Sequence, residues 1–204
     1  MAHQRLRHWD RNKRAGSGLS EAIILVGMNA EGRPAPTELA PYYQKYVDRC
    51  TGESLLGAFL GSLNQTRELF KRIPADAGDY RYAPEKWTIK DVIQHMLDTE
   101  RVFAYRALRF ARNDSTPLPG FEENDYANNT NTAARKLEDL SMEMEIVRGA
   151  TILLYQSFDD AMLMRQGMAS NNPFSVRALG WIIAGHNVHH LNVLNERYLP
   201  HASA

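Results

Sequence analysis

Seven residues in the second half of the chain recur with an alternation of three and four: Leu137, Leu140, Met144, Val147, Thr151, Leu154 and Phe158. That spacing keeps returning to one face of an α-helix, so it predicts a helix over residues 134–158 that buries one long seam. A seam of this length needs facing seams of similar length, and a helical bundle supplies them. The rest of the chain contains the partners. Leu56, Phe59, Leu60, Leu63, Phe70 and Ile73 form a stripe ended by Pro74, which predicts a helix over 52–73.

Thr88 is placed to cap the next helix, with Asp91 at its third helical position and Trp87 and Val92 as a hydrophobic staple. Its buried side is marked by Val92, Met96, Phe103, Ala107 and Phe110, and the helix is expected over 88–112. The last helix, over 175–198, has Ser175 as its cap, with Phe174 and Leu179 as the staple. A short helical piece is expected over 159–165 and a turn at Asn171-Asn172-Pro173. No sheet is predicted and no internal repeat is present. The fold class is therefore all-α, with four long helices in one bundle.

Two stretches fall outside this pattern. Residues 1 to about 40 mix basic residues, glycine and proline without a sustained period, which predicts a disordered or loosely packed arm ahead of a bundle over 41–204. An upstream extension, with translation beginning at Met28, is the alternative reading. The connection over 113–132, with Pro117-Leu118-Pro119-Gly120-Phe121, is long for a helical domain. It reads as a crossover between the second and third helices, with a lid over a site as the other reading. The acidic cluster Glu122-Glu123-Asn124-Asp125 is expected to be solvated.

Charge narrows the partners. Lys plus Arg and Asp plus Glu both number 24, so no net field draws in nucleic acid or an anionic membrane. No apolar run reaches transmembrane length, and residues 22–28 are too short and too poorly flanked for a signal peptide. The expectation is a cytoplasmic protein acting on a small molecule, with a homodimer as an open option. The single cysteine, Cys50, excludes an intrachain disulfide and a thiolate-rich zinc site.

The chemistry lies in the histidines. On the fourth helix the buried series Val176, Leu179, Ile183 continues at the same spacing to His186 and His190, where leucines belong. Burying an imidazole without a partner costs on the order of 1–3 kcal/mol. Two such costs one turn apart call for something that offsets both, and a shared metal ion does so. The alternative is that each histidine hydrogen-bonds to a facing side chain or a buried water. His95 lies at the edge of the buried face of the second long helix, and three imidazoles would leave an open coordination position. His189 could also pair with His186, but it lies off the three-four series and is placed at the rim. Asp98 and Glu100 follow His95 as candidate bases for a hydrolase, but they turn from its direction to different degrees, and a solvated helix face explains them equally well. Asp91 is most simply a capping residue, so no general base is assigned. Tyr80-Arg81-Tyr82 and Trp87 read as the cover of a core end, with the lining of a pocket as the other reading.

Trp87-Thr88-Ile89-Lys90-Asp91, His95 followed by Asp98-Thr99-Glu100-Arg101, and Gly185-His186-Asn187-Val188-His189-His190 occur in an order and spacing that resemble the DinB/YfiT-like family of metal-dependent enzymes. The resemblance covers roughly residues 41–198. It implies an antiparallel four-helix bundle with the metal held by His95, His186 and His190, although some relatives lack this triad. It also implies thiol-dependent S-transfer or isomerisation, in which the metal activates a small-molecule thiol. The leading expectation is thus a transferase using a low-molecular-weight thiol as cosubstrate. A hydrolase that activates water at the ion and a non-catalytic metal- or ligand-binding bundle are the alternatives. Zinc and nickel lead among the metals, and iron and copper also accept three imidazoles.

Overall fold

A computed structural model describes residues 32–202. In chain order the elements are α1 (Pro41–Val47), α2 (Leu55–Phe70), α3 (Ile89–Ala111), α4 (Glu123–Asn128), α5 (Leu137–Gln156), α6 (Asp160–Leu163), the strands β1 (Gln166–Ala169) and β2 (Asn172–Ser175), and α7 (Val176–Val193). A five-residue π-helical segment, Leu194–Tyr198, continues α7. The long helices α2, α3, α5 and α7 form the bundle, as the apolar spacing predicts. Thr88 and Ser175 are the caps expected, with Thr88 and Asp91 forming a reciprocal capping box.

The bundle is wired in an uncommon way. α7 packs against α3 and α2, and α5 packs against the same two helices. The consecutive pairs α2/α3 and α5/α7 therefore sit on the diagonals. Contacts along each helix give its direction. Thr66 hydrogen-bonds Asn187 at 3.0 Å while Leu55 lies against Gly180, so α2 and α7 run parallel. Gln94 meets Arg135, Glu100 meets Arg148 and Arg112 lies over Phe158, so α3 and α5 also run parallel. Phe59 against Tyr155 and Arg67 against Glu145 set α2 antiparallel to α5. The path is up, down, down, up.

Because α3 and α5 are parallel, the chain must travel back along the bundle before α5 can begin. The 23 residues of α3 rise about 34 Å, and that return is what the long connection provides. It is held at two places. Leu118 bridges to the hairpin through hydrogen bonds with Met168 and Ser170, and Thr132 hydrogen-bonds the Asp91 carboxylate.

Several expectations change. The sheetless reading gives way to a two-stranded antiparallel hairpin, pairing Gln166 with Ser175 and Ala169 with Asn172. Its turn falls at Ser170-Asn171, both with positive φ (50° and 59°), one position before the turn expected at Asn171-Asn172-Pro173. Two left-handed residues in succession match the twist of paired strands. Residues 1–31 of the expected arm lie outside the described residues. Residues 32–40 pack on the bundle: Glu38 is buried and accepts hydrogen bonds from Ser175 and Arg177, and Leu39 bridges to Phe174. The seam of α5 is wider than the one read in sequence: Leu137, Leu140, Met144, Thr151 and Phe158 are buried as expected, and further residues join them. Arg148, Ile152 and Tyr155 are fully buried, while Val147 and Leu154 sit at its flank. A charged residue in the seam hid its full width.

That charge is matched. Arg148 pairs with Glu100 through Nε and Nη2, both at 2.8 Å, and also donates to Ser62 and the Phe59 carbonyl. Glu100, read as solvated, is 3% exposed and Arg148 1%. The pair ties α2, α3 and α5 together beside the layer that carries His95.

Candidate metal centre

His95 sits two turns into α3, while His186 and His190 lie one turn apart near the end of α7. α3 and α7 are antiparallel neighbours, which places these positions at the same level. The structure brings the three together. His186 Nε2 lies 3.1 Å from His95 Nε2 and 3.1 Å from His190 Nε2, and the nearest ligand atoms of all three fall within 4.8 Å of one another. Two elements hold α7 in this rotation. Asn187 is bonded to Thr66 of α2. α1 crosses so closely over Gly185 that a Cβ there would stand 1.8 Å from the Tyr46 carbonyl oxygen, so only glycine fits.

The donor set fits a metal. Tetrahedral zinc at its usual 2.0–2.1 Å from each imidazole nitrogen separates those nitrogens by about 3.3 Å, close to the 3.1 Å of the two pairs that include His186. Hydrogen bonding explains the cluster less well. His95 and His190 both approach one nitrogen of His186, which has either a single lone pair or a single proton to offer. All three imidazoles are held neutral, the form that binds metal. Burial brings His95 down to about 4, with a further contribution from His189. Burial, then the neighbouring histidines, holds His186 and His190 well below the usual range.

His189 lies beside the cluster, its ring 5.6 Å from that of Tyr46 and 4.9 Å from that of His190. It is not part of the three-nitrogen group. Trp87, read as a core cover, packs its ring 4.9 Å from the His95 ring and helps line a recess beside His190. Cys50 is buried against the Trp181 carbonyl, and burial pushes its thiol up to about 12. It serves as packing, away from the histidines.

A cavity of about 220 Å³ opens onto the site, walled by Tyr42, Tyr43, Tyr46, Thr99, Phe103 and Phe121, with His95 and His186 at one end. The acidic cluster is exposed as expected, and two of its residues, Glu122 and Glu123, also line this cavity. α4 carries Glu123 over the mouth, with one carboxylate oxygen 3.9 Å from His95 Nε2. Since His95 is neutral and the gap exceeds hydrogen-bond range, this contact is neither an ion pair nor a hydrogen bond. Burial, then Glu122, raises the Glu123 carboxyl above its usual value, opposed by Lys45. No local spacing in the sequence relates Glu123 to His95. The parallel path of α3 and α5 does, by returning the connection across the histidine end.

With this geometry in hand, the comparisons give the class. The chain belongs to the DinB superfamily, whose family model matches residues 58–194 and so spans both halves of the histidine cluster. Its fold is similar to that of YfiT from Bacillus subtilis, a protein described as a probable metal-dependent hydrolase with an unusual four-helix bundle topology. The match has a TM-score of 0.60 at 12% sequence identity and covers 81% of this chain and 91% of YfiT. No curated protein sequence matches the chain. Among the described residues no helix is long and apolar enough to cross a membrane.

Proposed function

We propose that this chain is a metal-dependent enzyme acting on a small molecule, in which His95, His186 and His190 hold one divalent transition ion. The observation that carries the reading is the convergence of three neutral imidazole nitrogens beside an open cavity. An ion held by three neutral ligands keeps its full charge and supplies Lewis-acid activation of a thiol or water at its open position. The residues around it do the remaining work. Glu123 stands where it can accept the proton released by the nucleophile, and its raised affinity for protons suits that task. The aromatic walls offer apolar faces to the acceptor substrate.

S-transfer from a low-molecular-weight thiol is the reaction we assign. The thiol comes from outside, because Cys50 is buried and outside the cavity lining. Hydrolysis is the second reading, favoured by the Glu123 carboxylate, which sits as the base of a hydrolase would. Metal analysis of purified protein, followed by turnover assays, tests both. One ion per chain, with transfer of thiols to an activated aryl halide exceeding hydrolysis of an activated ester, supports the assignment. Ester hydrolysis alone selects the second reading, and absence of stoichiometric metal refutes the site.

A further inference from the structure

The cavity has two chemical ends. His95 and His186 form one, and Arg106, eleven residues further along α3, forms the other. Eleven residues of helix span about 16 Å between the two Cα positions, less the reach of both side chains. Arg106 is 2% exposed, yet it forms no ion pair with any described residue. The other deeply buried guanidinium, that of Arg148, has Glu100. A buried charge without a counter-charge is costly, so this exception calls for a cause.

Its surroundings resemble a receptor more than a structural socket. Both hydrogen bonds leave from Nη2, to the Pro119 carbonyl at 2.9 Å and to Ser170 Oγ at 3.0 Å, and both acceptors are neutral. The Nε and Nη1 hydrogens have no acceptor among the described residues. Phe103 and Phe121 flank the guanidinium, with its carbon 5.1 Å and 5.8 Å from their ring centroids. This fixes the charge in position without neutralising it. A second observation points the same way. Thr99, one turn beyond His95 on the same wall, is 4% exposed and its Oγ1 has no hydrogen-bond partner. The cavity thus ends on an unpaired cation, and its wall between Arg106 and the histidines contains a hydroxyl without a partner.

We propose that Arg106 binds a carboxylate group of the substrate, with the reacting end of the molecule at the three histidines. The assignment rests on the enzymatic reading of that site and adds the substrate class: a small, elongated monocarboxylate. A cavity of about 220 Å³ is below the 300–1,000 Å³ typical of drug-sized ligands, so the enclosed part of the substrate is small. Glu122 and Glu123 line the cavity as well. They act against a second negative group, so a dianion is disfavoured.

Hexanoate, with hexanol as its uncharged counterpart, tests the assignment on the metal-free protein. The Nε–H resonance of Arg106, assigned by its loss in Arg106→Gln, should shift saturably with hexanoate and stay fixed with hexanol. Arg106→Gln should weaken hexanoate binding by about tenfold or more, while Arg106→Lys should restore part of it. Zinc uptake, measured separately, should be unchanged in both variants. A wild-type Arg106 resonance that ignores hexanoate overturns the proposal even if zinc binds stoichiometrically. So does equal affinity for hexanoate and hexanol, a comparison that needs no variant to fold. Saturable hexanoate binding in a protein that takes up no zinc would instead retain Arg106 and refute the metal reading.

Discussion

Replacing Glu100 with glutamine would show how much of the bundle depends on one buried charge pair. The substitution keeps the side chain's shape and one acceptor oxygen, so it removes little but the negative charge. Arg148, 1% exposed, would then keep only the Phe59 carbonyl, Ser62 and the neutral amide. Breaking a buried pair by neutralising one partner costs roughly 3–5 kcal/mol, because the surviving charge stays buried. With amide compensation Glu100→Gln belongs near the lower end, about 3 kcal/mol. For a domain of this size that is a fall in Tm of about 6–12 °C. Removing both charges should cost far less, and Glu100→Leu with Arg148→Met should return to within about 2 kcal/mol of wild type. Urea melts followed by circular dichroism measure all of these. A loss below about 0.5 kcal/mol in Glu100→Gln, the size expected of an exposed pair, would refute the buried pairing and with it the placement of α5 against α3.

His190→Ala should abolish tight metal binding, since two imidazoles remain, whereas His189→Ala should retain most of it. Metal titrations decide, and equal loss in both variants would contradict the assignment. Gly185→Ala must push α1 away from α7. The overpacking costs about 1–3 kcal/mol and exceeds the gain of about 1 kcal/mol from helix propensity. It should also weaken metal binding, and an unchanged melt would show that α1 docks elsewhere. Burial alone would raise the Glu38 carboxyl, but hydrogen bonds from Arg177, the Ala35 N–H and Ser175, with the Arg177 charge, outweigh it and hold the group below 4.5. Its folded value is depressed, so its stabilisation is present above pH 4.5 and is lost as pH falls through the folded value. Glu38→Gln should therefore be less stable than wild type at neutral pH and converge with it in acid. Melts at several pH values test this.

The four long helices were readable because each carries an apolar period and two carry strong caps, Thr88 and Ser175. The three histidines were readable for a related reason: His186 and His190 interrupt a buried series where a polar ring needs a partner. What escaped the sequence depended on partners far away in the chain. Glu100 and Arg148 look solvated singly and become core residues only together. The hairpin strands are four residues each, too short for an alternation to stand out. Glu123 carries no local signal, since its relation to the histidines comes from the direction of α5, whereas Arg106 shares a face of α3 with His95 and Phe103 and only its lack of a counter-charge was hidden.

The diagonal wiring of the bundle also orders events in time. His95 and His186 are 91 residues apart, and Thr66 and Asn187 are 121 apart. Both neighbours of α7 are made long before it. A growing chain can assemble α2, α3 and α5 into an open trough, but the trough holds one of the three imidazoles and no metal centre. Contacts this distant in sequence form slowly, and here they close only when the last helix leaves the ribosome. If the triad binds an ion as proposed, a truncated or stalled chain cannot capture it there, and metal uptake would report that synthesis has run through to α7.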